Sequence, residues 1–156
     1  RMWCDFRDAL ADAQADDAVR VTIVTGAGGA FTAGADLSEM MGGGDPDAGG
    51  AEGHGFASFM DRLCAFDKPL IAAVNGVGVG IGLTLLLHCE YAFIARGARL
   101  RAPFITLGVV PEAGSSYLLP ALIGFRKAMD LLFESDFISA ERAVELGIAT
   151  HLCEPE

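Results

Sequence analysis

The sequence predicts an α/β protein, a parallel sheet joined by right-handed helical crossovers. Three observations point there. Short runs rich in β-branched residues, VRVTIVT at 19–25 and LIAAV at 70–74, read as strands. Amphipathic helical spacing stands between them, most plainly at Phe56, Phe59, Met60, Leu63 and Cys64. Gly-containing turns follow both strands directly and lead into further helical segments. No internal repeat is visible.

In chain order, Met2, Phe6 and Leu10 recur every four residues and predict a helix over 2–14. It runs into the acidic pair Asp16 and Asp17, and the strand at 19–25 follows. GAGGAF is the next turn, and a short helix is expected over 37–41. GGGDPDAGG at 42–50 reads as a loop. Lys68-Pro69 ends the amphipathic helix before the strand at 70–74. Residues 76–82 lead into a helix reaching about His88. Short strands are predicted at 91–95 and 99–102, an irregular connection at 103–111, and helices near 114–123 and 126–133. Ser139 is placed as an N-cap, with Glu141 in the first turn of its helix and Gly147 as the stop. A last strand is expected at 148–152.

The 156 residues, 52% hydrophobic and 21% charged, suit one domain spanning 1–156 with a sizeable core, of a cytoplasmic, globular kind. The chain opens on Arg1, inside an uncapped helical pattern, which predicts that the natural N-terminus lies further upstream. A net charge of −10 repels phosphate backbones and argues against nucleic-acid binding. Cys4, Cys64, Cys89 and Cys153 form no Cys-x-x-Cys pair and no cluster with zinc-ligand spacing, so they read as reduced thiols and no metal is expected. The uncharged stretch 70–87 approaches a membrane span in length. Asn75 and its alternate glycines favour a strand, a turn and a buried helix instead, with no membrane partner.

Two segments share one plan, strand into Gly-containing turn into helix: VTIVTGAGGAFTAGADLSEM and LIAAVNGVGVGIGLTLLLHCE. A helix N-terminus presents unpaired N–H groups and a partial positive charge. Two such ends facing each other would hold one developing oxyanion. Ala33, Gly34, Ala35, Gly80 and Gly82 are small enough to let a carbonyl reach the backbone. Neither segment is a nucleotide fingerprint. Phe31, Ile81 and Leu83 stand where the last glycine of G-x-G-x-x-G would fall, and no Gly-Lys-Ser/Thr follows. In VVPEAGSS, Glu112 is a lone acid in an apolar loop just before a helix. It reads either as a base with raised pKa or as a carboxylate placed for the helix dipole.

AFTAGADLSEM and KPLIAAVNGVGVGIG resemble the two oxyanion motifs of the crotonase, or enoyl-CoA hydratase/isomerase, superfamily. PEAGSSYLLP and ISAERAVELGIATHLCE resemble the segments that follow, so the likeness covers nearly the whole chain. The resemblance implies a crotonase-like spiral of β-β-α turns, truncated here at both ends. It implies an acyl-CoA thioester as substrate, with coenzyme A part of that substrate and no separate cofactor. The oxyanion hole would be the backbone N–H groups of Ala35 and Ile81. Ala33, Gly34, Asp36, Leu37 and Gly80 would line the substrate path, with Asp36 structural at a helix start. A homotrimer or hexamer is implied for the intact protein.

The departures bear on the reaction. Hydratases of the family use two glutamates, and Thr84 and Phe104 occupy those positions. GVGIGLTLLL and PEAGSSYLLP are more similar to the peroxisomal-type delta-3, delta-2-enoyl-CoA isomerases, in which the catalytic glutamate falls at Glu112. The resemblance therefore implies isomerisation of 3-enoyl-CoA to 2-enoyl-CoA. Hydration or another crotonase reaction, and a catalytically silent acyl-CoA binding or assembly subunit, are the alternatives. The remaining candidates read as structural. His54 falls near the loop and His151 on the surface, His88 and Glu90 pack or cap, and Met40 and Met41 line a tunnel or the core. Ser115 and Ser116 have no activating histidine nearby in sequence.

Overall fold

The computed structural model describes residues 2–34 and 53–154. The chain divides into two compact units. The first contains α1 (Met2–Ala15) and α2 (Gly53–Ala65). Trp3 meets Phe56 and Phe59, and Phe6 meets Phe59, at ring separations of 4.8–5.3 Å, and Leu10, Phe59 and Leu63 are buried. Lys68 Nζ donates to the carbonyls of Ala13 and Asp16 at 2.7 Å each, a cation on the C-terminal end of α1.

The second unit holds residues 23–34 and those from Leu70 onward. Its strands are β1 (Thr22–Thr25), β2 (Ala30–Thr32), β3 (Leu70–Val74), β4 (Val77–Val79), β5 (Tyr91–Ala95), β6 (Arg99–Arg101), β7 (Ile138–Ser139) and β8 (His151–Cys153). They form two four-stranded sheets, in the orders β1-β3-β5-β8 and β2-β4-β6-β7. β3, β5 and β8 are parallel, as are β2, β4 and β6, while β7 runs antiparallel to β6. The chain thus places one strand in each sheet and moves on, the β-β-α spiral that the motifs imply. Its helices are α3 (Ile81–Thr84) with a 3₁₀ turn at Leu85–His88, α4 (Phe104–Leu107), α5 (Ser115–Ile123), α6 (Phe125–Glu134) and α7 (Ala140–Leu146). Among the described residues no helix is long and apolar enough to cross a membrane. The stretch 70–87 resolves into β3, β4, α3 and most of the 3₁₀ turn.

Several boundaries differ from the sequence reading, for local reasons. The single parallel sheet is two sheets, because VGV at 77–79 is a strand between β2 and β6 and not a bare turn. The first strand begins at Thr22 and not at Val19. Asp16 holds the preceding turn by accepting from Val19 N–H at 3.0 Å through its carbonyl and from Ala18 N–H at 2.9 Å through its carboxylate. The last strand begins at His151. Ile148 and Ala149 instead donate back to the carbonyl of Ala143 at the end of α7, where Gly147 adopts φ 81°. The stretch expected to be irregular contains α4, a single turn too short to show periodicity. Ser139 caps α7 as predicted, its hydroxyl accepting from Arg142 N–H at 3.2 Å. The helix expected at 37–41 and the loop at 42–50 lie outside the described residues. All four cysteines are free, and burial pushes the Cys89 thiol up to about 12.

Candidate active site

Three parallel strands of the second sheet end side by side. Thr32 of β2 pairs with Gly78 of β4, and Val79 of β4 pairs with Arg101 of β6. Ala33 and Gly34 follow the first of these strands, Gly80 and Ile81 the second, and Phe104 comes soon after the third. The carboxyl ends of parallel strands are where open α/β sheets place their ligands. The first two ends approach closely, since a Cβ on Gly34 would stand 3.0 Å from the carbonyl oxygen of Val79.

Gly80 makes the corner between β4 and α3. Its φ of 60° and ψ of −112° form a conformation that needs glycine. Its N–H donates to Arg101 O at 2.9 Å, extending the ladder. Its carbonyl accepts from Leu83 N at 2.9 Å and Thr84 N at 3.1 Å, opening the helix. Ile81 is the first residue of α3, a position whose N–H has no acceptor within the helix itself.

Glu112 reaches the same place from the other side of the unit's sequence. After α4 the chain runs through Val109, Val110 and Pro111 to Glu112, whose carbonyl accepts from the Ser115 hydroxyl at 2.6 Å and from Ser115 N–H at 2.9 Å. Ala113 and Gly114 both have positive φ, 50° and 66°. For alanine that conformation costs about 1–2 kcal/mol. His88 Nε2 donates to the Ala113 carbonyl at 2.8 Å and helps to hold it. The turn so fixed brings the Glu112 carboxylate to α3, where Thr84 Oγ1 lies 3.2 Å from Oε1. A Cβ at Gly80 would stand 3.8 Å from the same oxygen. Glu112 is half-buried; burial raises its pKa above the ordinary carboxyl value, and the Thr84 hydrogen bond offsets part of that rise. A carboxylate of raised proton affinity is a better base near neutral pH.

The structure therefore brings Glu112, Gly80 and the start of α3 together, with Ala33 and Gly34 at the adjoining strand end. Ala35, Asp36 and Leu37 lie outside the described residues, as do Met40 and Met41. Phe104 is buried at the start of α4. His54, read as lying near the loop, has its backbone in the first turn of α2. His151 is exposed and stacks on Phe93 at 4.7 Å. Glu90 Oε2 accepts from Leu70 N–H at 2.7 Å, joining the first residue of β3 to the approach of β5. Three contributors escaped the sequence reading as parts of the site: Thr84, Ser115 and His88. Ser115 carried a local signal, a hydroxyl three residues after the acid. Thr84 was marked only as the place of an absent glutamate, and neither its contact nor that of His88 carried a signal, because their partners lie 28 and 25 positions away.

Comparisons with known proteins agree with this architecture. The family profile described as enoyl-CoA hydratase/isomerase matches residues 1–156. The 1,2-epoxyphenylacetyl-CoA isomerase of Escherichia coli is 35% identical over 99% of this chain and 60% of its own length. The crotonyl-CoA hydratase of Syntrophomonas wolfei is 34% identical over 97% of this chain and 58% of its own. The crystal structure of an enoyl-CoA hydratase from Mycobacterium marinum superposes with a TM-score of 0.88 at 45% identity, covering 99% of this chain and 72% of that one. The chain spans about 60% of the length of the first of these curated relatives. By its full-length profile match and its spiral of paired strands, the chain belongs to the enoyl-CoA hydratase/isomerase family of the crotonase superfamily.

Proposed function

We propose that this protein isomerises 3-enoyl-CoA esters to 2-enoyl-CoA, with Glu112 as the proton shuttle. The observation that supports the reading is a half-buried carboxylate with raised proton affinity, set beside the hydroxyl of Thr84, which by resemblance stands at one of the two positions where the family's hydratases carry glutamates. One carboxylate suffices for a double-bond shift. Glu112 takes a proton from C2, and the electron pair delocalises through the C3–C4 double bond and the thioester carbonyl as a dienolate. The same carboxyl then returns the proton at C4, leaving the double bond between C2 and C3. The charge that builds on the thioester oxygen needs backbone N–H donors. Ile81 supplies one in this proposal and Ala35 the other, with Ala33, Gly34, Asp36, Leu37 and Gly80 along the substrate path. Coenzyme A arrives as part of the substrate. The intact protein assembles as a trimer or hexamer, which sedimentation would test.

Hydration is the second reading, favoured by the name of the Syntrophomonas relative. One assay separates the two: double-bond migration in a 3-enoyl-CoA and hydration of a 2-enoyl-CoA are followed on the same preparation. Migration should dominate, and Glu112→Gln should slow it by roughly 10²–10⁴-fold, the range of general acid–base catalysis. Binding of a saturated acyl-CoA should change little. Retained migration in Glu112→Gln would falsify the assignment, and strong hydration without migration would establish the second reading.

A further inference from the structure

We propose that Thr84 is a positioning residue that serves Glu112 in both protonation states, giving a hydrogen bond to the carboxylate and taking one from the carboxyl. The proposal rests on the reading of Glu112 as the proton shuttle. Its basis is a three-member arrangement inside the protein. Thr84 is fully buried, and its Oγ1 lies 3.2 Å from Glu112 Oε1 and 3.4 Å from the carbonyl oxygen of Gly80. Thr84 follows Gly80 by four residues on α3, so its hydroxyl lies over that carbonyl.

A hydroxyl has one proton and can also accept. With Glu112 ionised, both neighbours of Thr84 are acceptors, and the charged one makes the stronger bond. The proton therefore points at Oε1. Once Glu112 carries the proton taken from C2, its O–H can donate to Thr84 Oγ1. The threonine proton then turns to Gly80 O. One rotation about the Cβ–Oγ1 bond makes the exchange, and no heavy atom has to move.

A shuttle needs this symmetry. It spends part of each cycle ionised and part protonated, with the dienolate waiting for the proton to come back. A partner that could only donate would support the first state and leave the second without a bond. The bulk around the pair fits the same reading: Gly80 has no side chain to crowd Oε1, and Ser115 fixes the backbone of Glu112 from the far side. Among the described residues, the titratable side chain that meets this turn is His88, from the 3₁₀ turn. It bonds to the Ala113 carbonyl and not to the carboxylate. Burial and the Thr84 hydroxyl are the influences on Glu112 itself.

The test is the pH profile of kcat/KM for double-bond migration in the intact protein, for wild type, Thr84→Val, Thr84→Ser and Glu112→Gln. Valine matches threonine in shape and removes the hydroxyl. The bond to the ionised form is the stronger of the two, so its loss should move the apparent pKa of the Glu112 limb upward. The plateau above that pKa should nevertheless fall, by about tenfold or more, because the carboxyl is no longer held toward the carbon it serves, a loss of alignment that outweighs the gain in basicity. Serine should restore both. Affinity for a saturated acyl-CoA should stay within about twofold throughout, and Thr84→Val should have no further effect in a Glu112→Gln background. If the valine variant does not fold, Thr84→Cys, of similar size with a weak donor, takes its place with the same expected directions. A plateau that rises would show a donor serving the ionised state alone and overturn the proposal. So would an unchanged profile, or a loss that persists without Glu112. An active Glu112→Gln would remove the shuttle reading and this inference together. An inactive Glu112→Gln beside an unaffected Thr84→Val would remove only this inference.

Discussion

Glu112 and Glu141 make an instructive pair. Each lies at the start of a helix and each has a serine beside it. Glu141 is exposed, and its carboxylate is held below the ordinary range by its own backbone N–H, by Ser139 and by Arg96, whose Nη1 lies 2.9 Å away. Glu112 is half-buried and its carboxylate has one hydroxyl partner. Ser115 spends its proton on the Glu112 carbonyl and not on the carboxylate. The two regions use the same residue types to opposite ends. A carboxylate surrounded by donors is fixed in its ionised form and serves as structure. One that is buried and sparingly bonded keeps its affinity for a proton. The raised proton affinity of Glu112 comes with partners withheld.

The largest effects should come from the turn around Glu112. Glu112→Gln should lose the activity proposed above, yet it should not lose stability. An acid whose pKa is raised in the folded chain binds its proton more tightly there than in the unfolded chain, so stability falls as pH climbs from 4.5 through the raised value. Above that window the folded protein carries the cost of a buried charge, which glutamine removes. The melting temperature of Glu112→Gln at neutral pH should equal or exceed that of wild type, and the difference should close as pH drops toward 4.5. A variant that melts well below wild type at neutral pH would place Glu112 with Glu141, among the structural carboxylates.

Ser115→Ala should come next. It removes a buried hydroxyl but leaves the Ser115 N–H on the same carbonyl, so about 0.5–1.5 kcal/mol of stability is expected to go. Turnover should also drop, by roughly tenfold, because the turn that aims the carboxylate loosens. Unfolding and turnover measured on one preparation would show whether both move.

Ser139→Ala is the matched control in the other region. It removes the cap of α7 and should cost about 1 kcal/mol in stability with turnover unchanged. A change in its rate would mean that α7 reaches the site. Glu141→Gln should have the smallest effect. Its lowered pKa contributes stability that is present above 4.5 and is lost as pH falls through the lowered value. A slight drop in melting temperature at neutral pH, vanishing in acid, is the expected result.

The same contrast explains what could be read in advance. Strand β3 was legible to the residue, since LIAAV is apolar, β-branched and bounded by Pro69 and Asn75. Ser139, Glu141 and Gly147 were legible because a helix end is written in consecutive positions. Glu112 stood out as a lone acid in an apolar loop. The division into two sheets was not legible, because which strand pairs with which depends on how the whole spiral closes. Strand β4 was hidden by its own glycine, yet a Cβ at Gly78 would strike Leu100 at 2.7 Å and the carbonyl of Gly82 at 2.9 Å. The environment of Glu112 was equally hidden. Thr84 read as an absent glutamate, and only the fold shows that its hydroxyl faces the carboxylate that remains.

The alternation of strands between sheets has a mechanical consequence. β1 and β2 form one coil of the spiral, β3 and β4 the next, and β5 and β6 the one after, each resting on its predecessor. Stacks of this kind are held by neighbour-to-neighbour contacts, as in solenoids, and resist sliding only where something crosses from coil to coil. Thr84 belongs to the coil of β4, while Glu112 follows the coil of β6. Their hydrogen bond, with that of His88 to Ala113, is a latch between successive coils. A slip of one coil against the next would part the acid from its hydroxyl, so the register of the spiral and the alignment of the site are kept by the same few atoms.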